Sequence, residues 1–341
     1  MITEKKIIIW GVGKYGKRLY HLLKNLGYGI DYFCQTGSDK ETYYDEVPII
    51  EMQKLSEISE ELIVLIAIKD NQISDEIKGR LLDLNLSGLY IYECGEFINK
   101  NIPNIVGDSK HQCNLCGSLI QRFERVETVH SELFEKYHII GGGPRENAVC
   151  PVCGGIDRIR WQYWVISKHT SIFFDKCSVL HIAPECVISK RIQANSLCDY
   201  YSGDLERGCA MHIVDVTNIQ FEDNFFDYII MNHVLEHIEN ESKAISELKR
   251  VLKPNGKLIL SFPICKDMNT YEDSDIQTSE ERYINYGQED HVRLYGYDYK
   301  ERLEQYGLHI DIYSPQNECT KEVVSRYGFI VDDVVLICRN D

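Results

Sequence analysis

The sequence predicts an α/β protein with two doubly wound parallel sheets, one in each half of the chain, joined by a cysteine-bearing segment. Three observations carry this expectation. Short apolar runs alternate with amphipathic stretches over residues 1–105, and the same alternation returns over 158–341. The rhythm lapses over 106–157, where Pro and Gly punctuate the chain and two Cys-x-x-Cys pairs occur. These spans are the expected domains.

In the first span the strand candidates are "KKIIIW", "YGIDYFC", "ELIVLIAI" and "LSGLYIYEC". Between the first two, Leu19, Leu22, Leu23 and Leu26 recur at the spacing of one helix face, and Gly27 suits the position after a helix end. Strand, helix, strand in this order is a βαβ unit, whose crossover makes the strands parallel. Gly11, Gly13 and Gly16 form G-x-G-x-x-G between strand and helix, the pattern of a dinucleotide-binding turn. Such a site also needs a carboxylate at the end of the second strand. Here that end reads Cys34, Gln35, Thr36, and Asp31 lies inside the strand. The glycines therefore have two readings, a nucleotide site or a tight turn alone. An NAD-dependent oxidoreductase is kept as an alternative function.

The middle span holds Cys113-x-x-Cys116-Gly and Cys150-Pro-Val-Cys153-Gly. Paired knuckles of this kind bring four thiolates to one tetrahedral ion, and a full protein ligand set makes the expected zinc structural. Free buried thiols or a redox pair are the other readings. The total of 13 cysteines is odd, which disfavours a disulfide framework. Cys34, Cys94, Cys177, Cys186, Cys198, Cys209, Cys265, Cys319 and Cys338 show no pairing and read as small apolar fillers.

The third span continues with "SVLHIA", "DYYSGD", "AMHIVDV", "FDYIIMN", "GKLILSFP", "LHIDIYS" and "DVVLICR". Ala244, Leu248, Val251 and Leu252 share a face of the helix "ESKAISELKRVLK", and "KPNG" reads as its stop. Five strands joined by helices, then two late strands, predict a doubly wound sheet closed by an antiparallel pair. Ligands of such sheets bind at the carboxyl ends of the strands. Glu185, Asp204 and Asp215 stand at successive strand ends. A carboxylate after the second strand can accept from ribose hydroxyls, and one after the third from an adenine amine. Solvated loop carboxylates are the plain alternative. With no glycine-rich phosphate loop here, the ligand fits a nucleoside without phosphate.

The stretch "FEDNFFDYIIMNHVLEHIENESKAISELKRVLKPNGKLILSFPI" (221–264) resembles the core of class I S-adenosylmethionine-dependent methyltransferases. "VLHIAPE", "NHVLEHI" and "GQEDHVRLYGYDYKERL" resemble a bacterial subgroup in which a zinc knuckle like "CPVCGG" precedes the domain. The likeness spans about 145–341. It implies a Rossmann-like methyltransferase fold binding S-adenosyl-L-methionine. His181, Ala183, Pro184 and Glu185 would then line the methionine side, Asp204 would hold the ribose, and Asp215 with Val216 the adenine. Asn232 and His233 would sit beside the methyl group. The usual first motif is G-x-G-x-G, and Pro184 gives no N–H, so one backbone donor is missing. More weakly, "IIIWGVGKYGKRL" and "VPII" resemble the Rossmann-like N-terminal domain of bacterial surface-sugar acetyltransferases.

Methyl transfer to a hydroxyl benefits from a placed base. His291 is the first candidate and His233 the second. Gln288, Asp290 and Arg293 share the loop with His291 and are candidate acceptor contacts, Arg293 for an anionic group. A loop-fixing polar network is the competing reading. Glu236 and His237 have a plain reading as helix-capping or helix-orienting residues, favoured for His237.

The expected activity is methyl transfer, with O-methylation of a carbohydrate or nucleotide-linked precursor of a surface polysaccharide as its specific form. A non-catalytic binding protein with a degenerate domain is a further alternative. A net charge of −16 disfavours a non-specific nucleic-acid binder, and no nucleic-acid partner is expected. No apolar run suits a membrane span and "MITEKKIIIW" is no signal peptide, so the expected location is cytoplasmic.

Overall fold

A computed structural model of the 341-residue chain describes residues 5–25, 28–36, 42–68, 71–93, 111–126 and 132–340. Leu26, Gly27, Cys94 and the expected boundary near residue 105 lie outside them. The chain forms two compact units. One comprises Met1–Glu124, Asn147–Ile156 and Arg326–Gly328, and the other Arg125–Glu146, Asp157–Ser325 and Phe329–Asp341.

The first unit is built on a six-stranded sheet ordered β3-β4-β2-β1-β5-β6. Its elements are β1 (Lys6–Trp10), α1 (Lys14–Asn25), β2 (Tyr32–Gln35), β3 (Tyr43–Tyr44), β4 (Val47–Glu51), β5 (Leu62–Ile66), α2 (Asn71–Asp83) and β6 (Leu89–Glu93). β1 pairs in parallel with β2 and β5, as the βαβ rhythm requires, and only the short β3 runs antiparallel to its neighbour. Leu19 and Leu23 of α1 are fully buried, and Ile8, Trp10, Val64 and Leu81 form part of the core. β3 and β4 were not anticipated, because "VPII" is too short to show a period. A further hairpin, β7 (His111–Gln112) with β8 (Leu119–Ile120), carries the first cysteine knuckle.

The second unit holds a seven-stranded sheet. Its elements are α3 (Asp157–His169), β10 (Cys177–Ile182), α4 (Cys186–Gln193), β11 (Cys198–Asp204), β12 (His212–Ile213), β13 (Phe226–Asn232), α5 (Glu241–Val251), β14 (Leu252–Ser261), α6 (Ser279–Tyr286), α7 (Tyr299–Glu304), β16 (Leu308–Tyr313) and β17 (Val335–Asn340). The strand order is β12-β11-β10-β13-β14-β17-β16. The first five strands are parallel, and β17 is antiparallel to both β14 and β16. A side ribbon pairs β9 (Ile139–Ile140) with β15 (Ile264–Cys265). Every residue of β10 is buried, so the strand is covered on both faces, which explains its unbroken apolar reading.

Helix α5 buries Ala244, Leu248 and Val251 as its periodicity predicts, and Asn240 caps it by accepting from the Lys243 amide. The helix ends at Val251, but "KPNG" is not a separate turn. β14 runs through it, with Asn255 at φ 64. No helix among the described residues is long and apolar enough to cross a membrane.

Candidate active site

Strand order reverses between β10 and β13: from β10 the chain steps outward to β11 and β12, then returns to β13 on the other side. The carboxyl ends of these two strands therefore flank a crevice, the usual ligand position of a doubly wound sheet.

The loop after β10 is Ala183-Pro184-Glu185. Ala183 lies at φ 47, a left-handed conformation that glycine adopts without strain, and its N–H is spent on the Gly203 carbonyl at 2.8 Å. Pro184 has no N–H, so neither residue offers a donor to a ligand. Glu185 Oε2 lies 2.7 Å from His181 Nε2, and its Oε1 accepts from the Asn232 side-chain amide at 3.2 Å. Burial raises the Glu185 pKa, but the His181 contact, a backbone hydrogen bond and the His233 ring together outweigh it, and the carboxyl is held below its ordinary value. His181 is fully buried, and its other nitrogen faces Ser189 and Tyr200. It does not line the crevice as the family resemblance implied; it fixes Glu185 from beneath.

Asp204 ends β11, where its Oδ1 accepts from the Glu206 amide at 2.8 Å. Asp215 follows β12 and accepts from both the amide and hydroxyl of Thr217 at 2.8 Å. Both carboxylates cap tight turns, and each retains its second oxygen for other contacts. Val216, beside Asp215, is buried. At the end of β13, Asn232 Oδ1 accepts from Ser261, and His233 follows at φ 52.

His233 Nδ1 stands 3.3 Å from Glu236 Oε1. Burial, then the Arg158 charge, pull the His233 pKa below its ordinary value, so the ring is neutral at pH 7. Glu236, His237 and His291 each offer a ligand atom within 4.8 Å of the others. His291 is buried, with Nδ1 3.2 Å from the Tyr286 carbonyl. Asp290 does not orient it. The two adjacent side chains diverge, and Asp290 instead lies 3.1 Å from His237 Nδ1 while accepting from Gln288 at 2.8 Å.

Residues 181–260 match the methyltransferase-domain family. Over those residues the chain is similar to a methyltransferase domain. Among curated relatives, an uncharacterized protein of Methanocaldococcus jannaschii is 44% identical over 57 residues, covering 17% of this chain and 28% of that protein. A mouse protein named probable tRNA methyltransferase 9B is 36% identical over 87 residues, covering 22% of this chain and 20% of its own length. The chain thus spans less than a third of the length of these relatives. Among solved structures, a Pyrococcus horikoshii protein aligns with 53% of this chain and 90% of its own at 17% identity and a TM-score of 0.34.

S-adenosylmethionine is the methyl donor such a domain implies, and the donor set fits it: carboxylates at two adjacent strand ends, and Asn232 and His233 across the crevice from Glu185. One residue beside this crevice carries no mark in the sequence. Arg158, on α3, donates to the Gly141 carbonyl at 2.9 Å, attracts Glu185 and repels His233. Gly141 itself passes within 3.6 Å of His233 Cε1 when given a Cβ, at φ 79. No local pattern marks Arg158, because its neighbours come from distant parts of the chain.

Arg293 does not face an acceptor. It is fully buried and donates to the carbonyls of Leu235, Ile238 and Glu239 and to Glu272. Its guanidinium locks the turn that carries Glu236 and His237, which is the loop-fixing reading.

In the first unit, Gly11 lies at φ 106, and a Cβ on Gly16 would stand 1.7 Å from the Gly11 carbonyl oxygen. These two glycines are therefore required by turn and packing alone. Asp31 accepts from the Ile7 amide and Lys6, so it is unavailable to a ribose. The oxidoreductase alternative gains nothing from this geometry.

The four knuckle cysteines converge within the same unit. Cys113 and Cys153 sulfurs are 3.7 Å apart, and those of Cys116 and Cys150 3.9 Å. Thiolates on one tetrahedral ion at about 2.3 Å stand roughly 3.8 Å apart. Gly117 and Gly154, at φ 78 and 70, turn equivalently to donate to the Cys113 and Cys150 carbonyls. The sulfurs are too far apart for disulfides and correctly spaced for a shared soft cation.

Proposed function

We propose that the chain is an S-adenosylmethionine-dependent methyltransferase acting on a hydroxyl of a carbohydrate or nucleotide-linked precursor of a surface polysaccharide. The observation that carries the methyl-transfer reading is the bracketing of one crevice by Asp204, Asp215 and the Glu185–Asn232 pair. Asp204 accepts from the ribose hydroxyls and Asp215 from the adenine. Arg158 supplies positive charge where Ala183 and Pro184 give no N–H, and so holds the cofactor's carboxylate.

The bound cofactor supplies an electrophilic methyl group. His233, at the end of β13 and neutral at pH 7, takes the acceptor's proton. His291 is too buried for that task and belongs to the support behind His237. The carbohydrate acceptor rests on the resemblance of residues 1–105 to surface-sugar enzymes. Zinc held by Cys113, Cys116, Cys150 and Cys153 is structural in this reading, and the protein works in the cytoplasm.

Radiolabelled methyl transfer to a panel of nucleotide sugars, oligosaccharides and tRNA tests the acceptor class. Label in a sugar, lost in His233→Ala, supports the reading; label in tRNA alone overturns it.

A further inference from the structure

We propose that Glu236, His237 and His291 form a divalent-cation site in the methyltransferase domain, with Asp290 and the Tyr286 carbonyl orienting its two imidazoles. The three side chains come from a short turn after β13 and a loop some fifty residues on, yet each places a ligand atom within 4.8 Å of the other two. With metal–ligand bonds of roughly 2.1 Å, neighbouring ligand atoms stand about 3 Å apart, so the widest pair closes by at most about 2 Å when the ion binds.

The buried carboxylate points to a cation. Glu236 is 2% exposed, and neither of its oxygens accepts a hydrogen bond. His233 Nδ1 stands 3.3 Å from Oε1. An anion buried in this way is costly without a counter-charge. Asp290 adds a second negative charge beside His237.

The histidines are already turned as ligands. A carbonyl can only accept, so His291 Nδ1 carries its proton toward Tyr286 and Nε2 keeps a lone pair. Asp290 acts likewise on His237 Nδ1, and Gln288 steadies Asp290. Carboxylate and carbonyl partners of this kind fix ring orientation and tautomer in metal-bound histidines. The two rings meet edge to face at 4.7 Å. Two imidazoles and one carboxylate suit Mn²⁺, Fe²⁺, Co²⁺ or Zn²⁺ and leave positions open. The side chain of His237 is 25% exposed, so the open side faces outward.

The cation site stands on this geometry alone; its role rests on the function proposed above. There the cation lowers the pKa of the acceptor hydroxyl. The O–H proton passes to His233, and the O–CH₃ bond forms as the S–CH₃ bond breaks.

The test is Mn²⁺ titration of the chelator-stripped full chain, followed by the loss of the free-ion electron paramagnetic resonance signal. Expected is one Mn²⁺ per chain, bound at least tenfold more weakly by Glu236→Gln and by His291→Gln, and about tenfold more weakly by Asp290→Asn. Cys113→Ser leaves the titration unchanged. Circular dichroism shows which variants fold; Asp290→Asn, on the loop surface, keeps the test alive if Glu236→Gln does not. Absence of Mn²⁺ binding, binding indifferent to Glu236→Gln and Asp290→Asn, or binding abolished only by Cys113→Ser overturns the proposal. S-adenosylhomocysteine binding, measured separately, reports on the methyltransferase reading whatever Mn²⁺ does.

Discussion

Asn232 donates to the carboxylate of Glu185 across 3.2 Å, tying the end of β13 to the loop after β10. Ser261, donating to Asn232 Oδ1 at 2.9 Å, fixes which way the amide points. This tie spans the crevice where the sheet changes direction. Glu185→Ala and Asn232→Ala each weaken S-adenosylhomocysteine binding by roughly tenfold, and the double variant loses less than the product. The shortfall corresponds to a coupling on the order of 1 kcal/mol, read from a double-mutant cycle by calorimetry. Fully additive losses would mean that the pair does not act as a unit.

The cysteine cluster should hold one zinc per chain, as elemental mass spectrometry would show. Cys113→Ser then loses the metal and lowers the melting temperature by roughly 5–10 °C, because a closed thiolate site contributes folding energy directly. Chelation of the wild type should have the same effect. Full stability without metal would contradict a structural ion.

Asp333 gives a pH signature. It is buried, and desolvation, then repulsion from Asp157, push its pKa from 3.8 up to about 7. In the folded state it keeps its proton between pH 4 and 7, where the unfolded chain has lost it. Stability associated with this group is therefore complete below pH 4 and is lost as pH rises toward 7. The span corresponds to an upper bound on the order of 4 kcal/mol. Asp333→Asn, which still accepts from the Val334 amide, should raise stability at pH 8 and leave it nearly unchanged at pH 4. Urea unfolding at the two pH values checks this; an equal shift at both would exclude titration as the cause.

Glu241 anchors the start of α5. Its buried carboxylate accepts from Tyr295 and Tyr306 and pairs with Arg302 at 2.8 Å. Glu241→Ala strands these donors and should cost roughly 3–5 kcal/mol in urea unfolding. A loss below about 1 kcal/mol would show that water replaces the carboxylate.

The sequence discloses most of this fold because its signals are local. Apolar runs such as "SVLHIA" are buried strands whichever sheet they join, and Ala244, Leu248 and Val251 mark the inner face of α5 without reference to anything else. The cysteine knuckles were legible for the same reason: spacing sets the turn, and Gly117 and Gly154 take the left-handed conformations the turn demands. Side-chain direction in loops was not legible. Asp290 and His291 are neighbours in sequence but turn to different partners, and Arg293 vanishes into carbonyls that only the folded chain assembles. Glu236 acquires its role from burial, and Arg158 from contacts that distant parts of the chain assemble, which no motif encodes.

The central claim is that Asp204 and its crevice bind a methyl-donor nucleoside. Isothermal titration of the wild type and Asp204→Ala with S-adenosylhomocysteine tests it most directly. Saturable binding by the wild type is expected, weakened at least tenfold in Asp204→Ala by loss of a charged hydrogen-bond acceptor worth about 1.5–3 kcal/mol. No heat from the folded wild type, or equal affinity in the two proteins, would contradict it.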